Sequence, residues 1–74
     1  MAIKREELVS GCIAKAADDE PVFVLRAQDM LAPDIVREWA KRAAYLLGPN
    51  HPKVQESLKL ASLMEQWPTR KYPD

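Results

Sequence analysis

With a single cysteine, Cys12, the chain can form no internal disulfide. With a single histidine, His51, it falls short of the four ligands that a structural zinc site takes. No apolar run approaches the roughly 18–20 residues that a membrane-spanning helix needs. Charge of one sign is also missing. Eleven basic and eleven acidic residues cancel, which removes the positive field that generic binding to a nucleic-acid backbone requires. The N-terminal Lys4-Arg5-Glu6-Glu7 is mixed in sign and lacks the apolar core of a signal peptide. These absences lead to the expectation of a cytoplasmic protein with a reduced thiol, no membrane segment, no metal and no cofactor.

What is present is 74 residues with an apolar fraction of 47%, ordinary for a globular chain and too high for disorder. That length makes one domain, 1–74, near the size at which a single core is marginal. Small domains are otherwise supported by disulfides, metals or association. The first two are excluded, so a homo-oligomer is expected.

The segment Asp19-Glu20-Pro21-Val22-Phe23-Val24-Leu25-Arg26-Ala27-Gln28-Asp29 contains the one run that reads as a strand, over 21–27. Val22, Phe23, Val24 and Leu25 are apolar and rich in β-branched and aromatic side chains, and Pro21 suits a first strand residue. A lone strand leaves backbone groups without a ladder. The expected remedy is a copy of the same strand from another subunit.

Residues 4–17 read as a first helix, with Leu8, Val9, Cys12, Ile13 and Ala16 in a stripe and Gly11 as a weak point. A second helix is expected over 33–47, opened by Pro33 and ended by Gly48-Pro49. Its apolar set, Ile35, Val36, Trp39, Ala40, Ala43, Ala44, Leu46 and Leu47, fills roughly half the circumference as one buried face. A third helix is expected over 52–67, capped by Asn50 or His51, and it forms an αα-hairpin with the second. Val54, Leu58, Leu60, Ala61, Leu63, Met64 and Trp67 spread over an arc of roughly 220°, more than one core-facing stripe needs. The surplus reads as a subunit interface. Residues 68–74 form an extended basic and aromatic tail. The fold class is therefore mainly α: three short helices with an αα-hairpin, and a single β-strand paired between subunits. Val22, Phe23, Val24, Leu25, Leu60, Leu63 and Trp67 are the expected interface.

Candidate chemistry is sparse. His51 sits at a helix start with no nucleophile nearby, so a cap outweighs catalysis. Cys12, on the first helix's apolar stripe, reads as a small buried hydrophobe. Asp18, Asp19 and Glu20 read as solvated acids rather than cation ligands. Arg37, Lys41 and Tyr45 recur at i, i+4 and i+8 in one row, a pattern able to hold a phosphate and stack a base. The plainer alternative is a solvated face with Glu38 and Arg42 paired. Arg26 at the strand end, and Arg70 and Tyr72 in the tail, complete the candidate anion-binding set. Each also has a plainer reading, in water or in a docked terminus.

The 19–29 segment, followed by Ala32-Pro33 and Val36-Arg37-Glu38-Trp39-Ala40, resembles small uncharacterised proteins of tailed phages and prophages, with an echo in Met64-Glu65-Gln66-Trp67. What the resemblance implies is context. Such accessory proteins often act by binding, some blocking host defence proteins and some sequestering nucleotide messengers as symmetric oligomers. The expected function is that of a non-enzymatic, homo-oligomeric binding protein, located in the host cytoplasm if phage-encoded. It would sequester an anionic nucleotide-type signal or block a defence component. The alternative is a protein–protein adaptor or inhibitor acting through the apolar third helix and the tail.

Overall fold

In the computed structural model, residues 3–6 and 11–72 are described. They are mainly helical. Besides helical residues 4–6, the described residues hold α1 (Cys12–Lys15), α2 (Ala32–Leu47) and α3 (Pro52–Glu65). Among them only α2 and α3 touch, as an antiparallel hairpin.

Local chemistry sets the hairpin's ends. Pro33 stands in the first turn of α2, where its missing N–H costs nothing. Just upstream, the Asp29 carboxylate accepts from the Leu31 N–H at 2.8 Å, and the Asp29 carbonyl accepts from the Ala32 N–H. Asp29 therefore turns the chain into α2 from outside rather than serving as its N-cap, which is Leu31. Gly48 ends α2 with φ 94° and ψ 147°, donating its N–H to the Ala44 carbonyl. His51 is the N-cap of α3, its Nδ1 accepting from the Lys53 N–H at 3.1 Å.

The core is narrow. One cluster joins Ala32 and Val36 of α2 to Ala61 and Met64 of α3, with Leu25, Ala27 and Leu60 packed against it. A second joins Ala40 and Ala43 to Val54. Ser57 is fully buried, its hydroxyl donating to the Val54 carbonyl at 2.8 Å. Small side chains at these positions let two backbones pack tightly, but they bury little apolar area.

The first helix expected over 4–17 is broken. Residues 4–6 are helical, 7–10 lie outside the described residues, and Gly11 is extended at φ −88° and ψ −167°. Helix resumes for one turn as α1 and ends at an extended Ala16. No residue of α1 is buried, so little packing offsets the cost of helix nucleation. Cys12, expected inside, is exposed.

The strand expected over 21–27 has no ladder. Residues 20–26 carry no regular structure, and the one β-bridge among the described residues pairs Asp29 with Lys71 in parallel. The tail thus docks on its own chain. The Lys71 N–H donates to the Gln28 carbonyl at 2.7 Å, and the Met30 N–H donates to the Lys71 carbonyl at 3.0 Å.

Candidate functional site

Three surfaces carry the residues singled out by the sequence. The first is a groove of about 320 Å³ between α2 and α3, open to solvent and bordered by Arg37, Lys41, Asn50 and Gln55. Arg37 is held there by an ion pair to Glu65 across the hairpin and by a longer one to Asp34 at 3.6 Å. Its charge is therefore largely answered within the chain. Lys41 borders the groove and makes no ion pair among the described residues. Tyr45, 84% exposed, lies outside the groove. The row expected from i, i+4, i+8 spacing is real along the helix, but only its first two members meet the groove. Glu38 and Arg42 pair at 3.1 Å, as the plainer reading of that helix had it.

Arg26 and Tyr72 are exposed and far in function from that groove, since neither borders it. Arg70 has a structural task. Its guanidinium donates to the Met64 carbonyl at 2.7 Å and to the Met30 carbonyl at 3.3 Å. It answers a carbonyl in the last turn of α3, where helix oxygens lack internal partners and a cation is favoured. The six candidate anion ligands are thus not brought together into one site.

The second surface is the run Val22-Phe23-Val24, exposed at 60%, 85% and 59%. Side chains on both faces of the run are bare, and only Leu25 turns onto the core. Among the described residues, the N–H groups of Val22, Phe23, Val24 and Leu25 make no backbone hydrogen bond.

The third surface is apolar and belongs to the hairpin. At about 100° per residue, Leu31, Ile35, Trp39 and Leu46 form a stripe displaced by about 70–150° from the buried line of α2. Leu60 and Leu63 form a stripe displaced by about 80–140° from that of α3, in the same angular sense, and Trp67 follows just past the helix's C-cap Gln66. Because the helices are antiparallel, both stripes fall on one side of the hairpin. Arg37 and Glu65 are displaced in the opposite sense, so the bridge and the groove lie on the other side. Ile35, Trp39, Leu63 and Trp67 are exposed at 51%, 43%, 56% and 53%. The sequence placed Ile35, Trp39 and Leu46 on one face with Val36 and Ala40. In the hairpin only the half of that face nearest α3 is covered.

No family model matches this chain, and neither a curated protein nor a solved structure matches it.

Elsewhere the chemistry is thin. Asp18, Asp19 and Glu20 are exposed, with a Glu20 carboxylate oxygen accepting from the Ala17 N–H at 3.3 Å. Among the described residues no three of His, Cys, Asp or Glu gather as metal ligands would. None of the described helices is long and apolar enough to cross a membrane. Ser57 is the position that sequence reading missed. A usable signal was there: 54, 57, 61 and 64 follow i, i+3, i+7, i+10, so Ser57 shares a line with Val54, Ala61 and Met64.

Proposed function

We propose that this is a non-enzymatic binding protein that acts by occupying another protein, with the Val22–Leu25 run as its contact element. One observation carries the reading: an exposed apolar run whose backbone donors are unspent. Such a run adds as a strand to an existing sheet edge, with main-chain hydrogen bonds supplying affinity and Val22, Phe23 and Val24 supplying selectivity. The resemblance to small phage proteins supports a host protein, such as a defence component, as the partner, and inhibition by occupancy as the mode of action.

Pairing of this run with the same run of a second subunit uses the same groups but has less in its favour. Val22 to Val24 are bare on both faces, and a two-stranded ribbon without a backing layer is marginal in water. A partner's sheet supplies that layer; an identical bare run does not.

The test places a photo-crosslinking aromatic amino acid at Phe23 in cells that hold the partner. One stoichiometric adduct is expected, and Val24→Pro, which removes a ladder donor, should abolish it. An adduct that survives Val24→Pro, or none at all, refutes strand addition.

Nucleotide sequestration is a second reading, favoured by Lys41 at the groove. Calorimetry with nucleotides on the native protein and on Lys41→Glu decides it. Binding heat that vanishes in the variant supports it, and no heat in either removes it.

A further inference from the structure

Beyond the point where Leu25 and Ala27 pack against its core, the hairpin keeps an apolar side to which the exposed Val22–Val24 run does not belong. We infer that it seats the same side of a second copy, so that two chains close a four-helix bundle about a two-fold axis.

α2 and α3 hide little between them. Their shared core consists of alanines, two valines, a methionine and a serine. Both tryptophans stand outside it, Trp39 on the apolar side of α2 and Trp67 just past the end of α3. A two-helix hairpin has no interior for a second apolar stripe, yet each helix carries one. In a four-helix bundle each helix faces two neighbours, which is the condition that a double stripe satisfies.

Area points the same way. The chain exposes 6129 Å², whereas a folded monomer of this length exposes about 4,600 Å². Its radius of gyration is 12.9 Å, against about 11.3 Å for a compact chain of this length. The α1 arm, which touches neither hairpin helix, supplies part of the excess of about 1,500 Å². The half-exposed Ile35, Trp39, Leu63 and Trp67 supply another part. A standard interface removes about 800 Å² from each partner, less than the surplus of the chain as a whole.

Charge permits the surface to meet itself. Glu38 and Arg42 on α2 lie on this side and neutralise each other at 3.1 Å. Lys53 and Glu56 at the N-terminal end of α3 also fall on it and cancel in sum. A two-fold axis brings like patches together, and a face of zero net charge meets its copy without repulsion. Lys41, a cation that makes no ion pair among the described residues and whose doubling across an axis would be costly, lies on the opposite side.

Sedimentation and tryptophan emission over a wide concentration range test this directly. The expected mass at high concentration is twice that of one chain. Emission from Trp39 and Trp67 should shift to the blue as the dimer forms. Ile35→Glu and Leu63→Glu should each weaken association at least about tenfold, since a symmetric dimer buries each new charge twice. Both positions are more than half exposed in the single chain, so helicity by circular dichroism should persist. Lys41→Glu on the far side and Val24→Pro in the run should leave association unchanged. A helical monomer at high concentration overturns the inference. So does a dimer indifferent to both glutamates, or one abolished by Val24→Pro. Loss of the Phe23 adduct leaves these masses untouched, so strand addition and self-association fail separately.

Discussion

Gly48, His51 and Arg70 show how single residues fix the hairpin. Gly48 lies near a backbone region that is essentially glycine's own, and a Cβ there would meet nothing within 4 Å. The cost of replacing it is conformational rather than steric. Gly48→Ala and Gly48→Asn should therefore both lower stability by ~1–3 kcal/mol in urea titration. Asparagine, which tolerates the ordinary left-handed region, should not rescue it. His51→Ala should cost ~1 kcal/mol by the same measurement, and His51→Asn should restore most of the loss through an equivalent cap. Full stability in His51→Ala would show that the cap contributes nothing. These punctuating residues were legible in the sequence, because turn and cap chemistry is local. Arg70 was not. Its partners are two carbonyls, at Met64 and Met30, and the second is 40 positions away. A basic residue in a tail reads equally as a ligand clamp, and only the folded chain shows where its donors go.

At the level of elements, α2 and α3 followed from their patterns while the N-terminal third did not. Pro33, Gly48 and Pro52 bracket two periodic segments that support one another. Residues 4–17 carried a helical stripe as well, but Gly11 interrupts it and α1 buries nothing. A stripe without a surface to cover does not hold a helix together. The same logic applies to 21–27, where β propensity without a neighbouring strand leaves irregular chain. Within the hairpin, the sequence overestimated how much one small helix covers. A single partner shields Val36, Ala40 and Ala43 but leaves Ile35 and Leu46 in water. The tightness of the covered part gives a prediction. Ala40 is fully buried, so Ala40→Leu should destabilise by ~1–3 kcal/mol through overpacking, read from the denaturation midpoint. A neutral outcome would mean that the helices have room to part. The Arg37–Glu65 pair is the contrasting case. Both side chains are more than a third exposed, and Glu65→Gln should change stability by less than ~1 kcal/mol.

For the whole molecule, an apolar surplus is legible in the sequence: an arc of roughly 220° on the third helix exceeds what one neighbour hides. What the sequence could not show is that the surplus of both helices falls on one side, away from Arg37 and Lys41. That depends on the antiparallel register, which joins residues far apart along the chain. It also separates two kinds of binding by their response to salt. Self-association through a face of zero net charge should change little between low and high ionic strength in sedimentation. Anion binding at Lys41 should weaken steeply. A dimer that dissolves in salt would mean that charge, not apolar area, joins the chains.

The Arg70 guanidinium closes a loop that the helix contacts alone do not. It spans from the carbonyl end of α3 to the entrance of α2, while Lys71 grips the strand-like residues on either side of Asp29. The seam of the hairpin is thus fastened by the chain's last few described residues. Loss of the Arg70 side chain would therefore loosen both helix ends at once.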